Sequence, residues 1–227
     1  NQGRAVVELI KNEKLNIAVF APNQTRENSL LPIRIPVTKG LLGIRVCLIK
    51  KGNANKFKHI YSTNDWIKKG LSIGQSSHWP DTQILEVNGF NVVATTLYIP
   101  MFDMLAKERF DCFARSVNEV IRELEQYNDK GLELEKNLAF IYRLPTFFFV
   151  SKKNPQLAER IEKGLHLAIL SGSFDEIFYR GFGDSLDKIK LENRTILHLE
   201  NPYTTKKTKE VEEDTTLWFE LFNQSEY

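Results

Sequence analysis

No apolar stretch in this 227-residue chain approaches the ~20 residues that cross a bilayer, which argues against a membrane-spanning helix. A marked excess of either charge is also missing. Lys and Arg number 31 against 29 Asp and Glu, a net charge of +2 with the signs interspersed. A nucleic-acid-binding surface needs a basic block or face, so that class is set aside. Only two cysteines are present, Cys47 and Cys112, and neither sits in metal-ligand spacing. His59, His166 and His198 share no spacing either. No metal or other cofactor is therefore expected. There is no internal repeat and no low-complexity tract. No signal peptide opens the chain, as holds for any mature exported protein.

What is present suits a packed protein. Hydrophobic residues make up 42% and charged residues 26%, enough for a core and too apolar for disorder. The length fits one large domain or two small ones. Fifteen Phe are many, and Phe147, Phe148 and Phe149 read as buried strand. Cys47 and Cys112 each lie in an apolar run. Two buried free thiols are the plainer reading, and a disulfide stays open because sequence does not show proximity.

Along the chain, "RAVVELIK" (4–11) has helical spacing and "LNIAVFAP" (15–22) is a compact strand. "NQTRENS" (23–29) reads as a polar loop, "LLPIRIPVTKG" as extended, and "LLGIRVCLIKKG" (41–52) as a strand. "STNDWIKKG" is a short helix with a glycine stop. "LSIGQSSHWP" is a strand, a polar turn and a helix start. In 98–110, Met101, Leu105 and either Phe102 or Met104 share a helix face. "DCFARS" is a strand and "VNEVIRELEQY" a helix; Pro145 breaks two strands, and two helices part near Ser171-Gly172-Ser173. Residues 204–214 read as loose, and "TTLWFELF" must dock somewhere. Strands alternating with helices imply an α/β fold with mostly parallel sheets.

Ligands in such sheets bind beyond the carboxyl ends of strands. Three segments qualify: 23–29, 75–79 and 115–119. Arg26, with Thr25 and Gln24 beside it, suits a carboxylate grip by a planar guanidinium. Gln75, Ser76, Ser77, His78 and Trp79 precede a helix, where N–H groups and the helix dipole favour an anion. Ser77 or Asp81 would equally serve as a helix cap, and Trp79 would equally pack its own domain. Arg115, ending an apolar strand beside Ser116, needs a partner: a ligand anion, or Glu119 or Asp103. Asn118 and Glu119 are weaker candidates. Tyr142 and Arg143 lie near a crossing between domains.

The order of these segments resembles the type II periplasmic solute-binding proteins, in the branch of amino-acid-binding components of ABC transporters. "LNIAVFAP", "NQTRENS", "LLPIRIPVTKG" and "LLGIRVCLIKKG" match its strand, Thr/Arg loop, extended segment and crossing strand. "NDWIKKG", "LSIGQSSHW" and "YIPMFDMLAKERFDCFARS" match the opening of its second lobe, and "YRLPTFFFVSKKNPQLAERIEKGL" the return. The resemblance implies a discontinuous lobe one (1–49 and 142–227), a lobe two (50–141), and an interlobe cleft. It implies capture of a small anionic or zwitterionic ligand by hinge closure, with no bond made or broken. A monomer in the periplasm, handing its ligand to an ABC transporter permease or a membrane receptor, follows. Ligand contacts would come from Thr25, Arg26, Gln75, Ser76, Ser77, His78, Trp79, Arg115 and Ser116. There are departures. The first strand and helix of lobe one are absent from the chain as given. Thr25 adjoins Arg26 where the family spaces the pair. Arg115 or Ser116 stands where an acid often grips a ligand ammonium. A sensory module of the same fold is the alternative, and a dehydratase using His78 and Glu119 a more distant one.

Overall fold

The computed structural model describes residues 2–223. In chain order the elements are α1 (Gln2–Lys11), β1 (Ile17–Phe20), α2 (Gln24–Ser29), β2 (Leu30–Ile33), β3 (Ile44–Lys50), α3 (Thr63–Lys68) and β4 (Ser72–Ser76). Then come α4 (Pro80–Val87), β5 (Asn91–Thr95), α5 (Pro100–Ala106), β6 (Cys112–Ser116), α6 (Val120–Gln126), β7 (Leu132–Leu134) and β8 (Leu138–Ile141). The last are β9 (Phe147–Ser151), α7 (Pro155–Leu170), α8 (Ser173–Ile189), β10 (Thr195–His198) and α9 (Lys206–Glu212). The chain forms two compact units. Unit one is Asn1–Leu41, Arg143–Gly183 and Tyr203–Tyr227; unit two is Leu42–Tyr142 and Asp184–Pro202. The expected division placed 42–49, Tyr142 and 184–202 in lobe one. β3 and β10 instead pair within the sheet of unit two, because their hydrogen-bonding partners β6 and β8 are there.

Unit one is built on a three-stranded sheet of order β1-β9-β2, antiparallel throughout. Side chains of β9 alternate between faces, as a strand requires. Phe147 and Phe149 join Phe20, Leu30 and Leu9 of α1 on one side. Val150 joins Ile33 and Ile35 on the other, under Leu157, Ile161 and Leu165 of α7. Two segments expected to be loops are helical. Asn23 caps α2 by accepting a hydrogen bond from the Arg26 N–H, and Thr205 caps α9 by accepting from Thr208 N–H. Thr205 and Thr208 hydroxyls both donate to Glu27 Oε1, at 2.8 and 3.0 Å, which ties α9 to α2.

Unit two carries a seven-stranded sheet of order β10-β8-β3-β6-β4-β5, with β7 added on β3. Here the expectation of mostly parallel sheets is corrected: the sheet is mixed. β4 lies parallel to β5 and to β6, and crossover helices separate these strands in sequence. β3 is antiparallel to β6, β7 and β8. Trp66 anchors the core, its ring 5.5 Å from Phe57, 5.8 Å from Phe90 and 5.2 Å from Phe140. On α5, Met101, Phe102 and Leu105 are all buried.

The cysteines are not free thiols. Cys47 and Cys112 form a disulfide with Cα atoms 5.1 Å apart. β3 and β6 are antiparallel neighbours in which Cys47 faces Ala114, so Cys112 is two residues along the same face. Only that pairing brings together residues separated by 65 positions.

Candidate functional site

The carboxyl ends of β4 and β6 bring together the candidates of unit two. Gln75 is fully buried at the end of β4, its Nε2 donating to Ala114 O at 3.2 Å. Ser76 is buried, while Ser77 and His78 are exposed. The turn closes on itself. Ser77 N–H donates to Thr95 O (2.9 Å), Trp79 N–H to Ser76 O (2.9 Å) and His78 N–H to Ser76 Oγ (3.4 Å). Thr82 Oγ1 donates to Ser76 O at 2.7 Å. The three N–H groups expected to face an anion thus already have acceptors, two on Ser76 and one at the end of β5.

The helix dipole at this turn also has an anion of its own. Asp81, in the first turn of α4, is buried and ion-paired with Arg45 of β3. The Tyr142 hydroxyl donates to Asp81 and accepts from Arg45 Nε at 3.1 Å. All three side chains are buried. Burial works against the Arg45 charge, but Asp81 and then Tyr142 outweigh it, and the pKa rises. Burial drives the Tyr142 pKa well above its ordinary value. Sequence reading missed this triad. The signal was there: Arg45 interrupts the apolar run "LLGIRVCLIKKG", and a buried arginine requires a partner.

Arg115 has the same kind of environment. Of the partners weighed for it, Glu119 is found, with Glu123 in addition; Asp103 pairs instead with Lys130. Arg115 donates to both Glu123 oxygens, from Nε at 2.7 Å and Nη2 at 2.5 Å, and to Glu119 Oε2 at 2.8 Å. Its guanidinium lies 4.6 Å from the Trp79 ring centre, 5.0 Å from Phe113 and 5.3 Å from Tyr98. Trp79 therefore packs its own unit, stacked on Phe113 at 6.3 Å. The Ser116 hydroxyl donates to Asn118 Oδ1. Against burial, which lowers it, the pairing with Glu123 raises the Arg115 pKa.

Unit one places Arg26 differently. It sits on α2, half-buried, with Thr25 exposed beside it. Arg26 Nη1 donates to Ala21 O at 2.6 Å and Nη2 to Gln2 Oε1 at 2.9 Å, with the guanidinium 5.0 Å from the Phe20 ring centre. Every one of these partners is neutral. Burial lowers its pKa.

Among the described residues, no group of three or more His, Cys, Asp or Glu is placed to hold a metal ion. His78 is exposed on its turn and Glu119 binds Arg115.

Comparison with solved structures identifies the architecture. An ancestral arginine-binding protein bound to arginine superposes with a TM-score of 0.54 at 19% identity, covering 78% of this chain and 75% of that one. The structure described as an ancestral arginine-binding protein bound to glutamine gives 0.55 at 20%, with the same coverage. The GluR0 ligand-binding core in complex with L-glutamate gives 0.56 at 16%, covering 78% and 76%. The chain has the type II periplasmic-binding-protein fold. At these identities the likeness is one of fold. No protein-family model matches the chain, and a search of curated proteins found no match.

Proposed function

We propose that this type II periplasmic-binding fold serves as an extracytoplasmic solute-binding protein. It captures a small amino-acid-like ligand bearing a carboxylate and presents it to a membrane transporter of the ABC class, without catalysis. The observation that carries this reading is Arg26: a half-buried guanidinium beyond the carboxyl end of β1, held among the described residues by neutral groups, a carbonyl, an amide and the Phe20 ring. Such a cation keeps its full charge for a carboxylate, and its planar fork suits bidentate contact. Arg115 and Arg45 lack that freedom because carboxylates already neutralise them. The disulfide supports an oxidising compartment outside the cytoplasm; the periplasm is the expected one.

The test is a thermal-shift screen of amino acids and dicarboxylates. A ligand at a hundred times its dissociation constant stabilises the fold by about 2.7 kcal/mol. Arg26→Ala should abolish the shift while leaving the ligand-free transition near its original position. A shift that survives Arg26→Ala unchanged would remove Arg26 from the site. A screen in which no compound moves the transition would sink the binding role.

A further inference from the structure

The chain passes between its units at four places, 41/42, 142/143, 183/184 (within α8) and 202/203, and the first two lie side by side. On the unit-one side these two segments are joined: Val37 N–H donates to Thr146 O at 3.0 Å, and the Thr38 and Thr146 hydroxyls meet at 2.8 Å. On the unit-two side Tyr142 N–H donates to Gly43 O at 3.0 Å. Between them lie Lys39 and Gly40, both left-handed, at φ +47° and +79°. Hinges are a few loop residues that absorb a change in φ and ψ, and these two lie in the loop just before a crossing.

The C-terminal aromatic segment covers this place. Trp218 is buried, and a Cβ added at Gly40 would lie 2.5 Å from its ring and 2.9 Å from that of Phe222. Glycine is thus required at 40 by both conformation and contact. Phe219 N–H donates to Lys39 O at 2.8 Å, and Lys39 Nζ meets Asp175 of α8 at 2.6 Å. On the other crossing, the Arg143 guanidinium lies 4.5 Å from the Trp218 ring centre and 5.1 Å from that of Phe222. Arg143 Nη2 also donates to Phe222 O at 3.1 Å. Trp218 is fixed in turn by its Nε1, which donates to Val211 O of α9 at 3.1 Å. One short segment thereby grips residues 39 and 40 of one crossing and 143 of the other.

We propose that residues 215–223 are a hinge brace: by seating Trp218 and Phe222 on Gly40 and Arg143, they hold the unit-one ends of the two adjacent crossings, 41/42 and 142/143, and limit how freely the chain turns there. The brace lies outside all the residues proposed to bind ligand and acts without one. Weakening it loosens the crossings while both sheets stay intact.

The test uses the full chain, with Trp218→Ala and Arg143→Met as loosening variants and Trp218→Phe as the conservative one. Amide hydrogen exchange is followed at 37–43 and 142–146, with β9 and β6 as internal references. Both loosening variants should speed exchange at the crossings by about tenfold or more, with β9 and β6 unchanged and Trp218→Phe close to the parent. Spin labels at Glu159→Cys and Lys51→Cys, exposed sites on units one and two, report the distance distribution between units. The native cysteines are paired and take no label. The distribution should broaden in both loosening variants. Unchanged exchange at the crossings, or an unchanged distribution, overturns the proposal. So does loss of protection across β9 in both variants, which would make the segment simply part of the unit-one core. If Trp218→Ala alone unravels β9, the Arg143→Met result decides.

Discussion

Two arginines invite comparison, because one lies in the end of an apolar strand and the other just beyond one, and each was weighed as a grip for an anion. Arg115 in unit two is buried against Trp79, Tyr98 and Phe113, and two carboxylates hold it. Arg26 in unit one is only half-buried and is held by neutral groups. A guanidinium taken so far from water has to be neutralised by the protein itself. One left at the surface of a strand end does not, and its charge stays available. Burial depth, more than position after a strand, separates a structural arginine from a candidate binding one.

The comparison breaks most readily in unit two. Removing one member of a buried ion pair leaves the other charge stranded, at a cost of about 3–5 kcal/mol. Asp81→Ala strands Arg45 and should lower the unfolding free energy of unit two by that order; Glu123→Ala leaves Arg115 to the more exposed Glu119 and should cost somewhat less. Denaturant titration with exchange read at β6 and β9 checks this; an equal loss at β9 would contradict it. Comparable in size is the disulfide. Cys47→Ala with Cys112→Ala should cost about 4 kcal/mol by releasing chain entropy in the unfolded state, again in unit two, as read by the same titration. Arg26→Met should be mild for stability, about 1 kcal/mol for the lost neutral hydrogen bonds, yet should abolish ligand-induced shifts. A stability loss as large as that of Glu123→Ala would erase the distinction between the two arginines.

The smallest effect concerns pH. Burial raises the pKa of Glu212 in α9 to about 6 from an ordinary 4.5, although Arg143, Lys209 and Thr204 pull it down. A carboxyl raised on folding favours the folded state while protonated. That contribution is fully present below 4.5 and is lost as pH rises through about 6. Glu212→Gln should therefore melt above the parent at pH 7 and with it near pH 4. Melting curves across that window decide; a gap that persists at pH 4 would assign the effect to something other than titration.

Much of the fold was legible because it is written in local pattern. The run Phe147, Phe148 and Phe149 reads as buried strand, and in β9 it packs on both faces. Gly172, at φ +77°, stands at the expected break between α7 and α8. The apolar ending "TTLWFELF" was expected to dock, and Trp218, Phe219 and Leu221 are buried. Where reading failed, a short-range signal was underweighted: Asn23 and Thr205 are good helix caps in segments taken for loops. The candidate site was legible only as locations. The strand ends were found, but which polar groups were already committed depended on residues far off in sequence. Glu123 reaches back to Arg115, and Arg45, Asp81 and Tyr142 converge from three separate elements.

By itself the sequence determined the element types, the core-facing sides of strands and helices, and the segment order characteristic of a type II binding fold. These follow from periodicity and backbone preference, which act within a few residues. Tertiary structure alone decided the direction of β3, the pairing of Cys47 with Cys112, the boundary between units and the state of each arginine. Those depend on which strands hydrogen-bond and which charges leave water together, and both are set by contacts across tens of residues that no local pattern records.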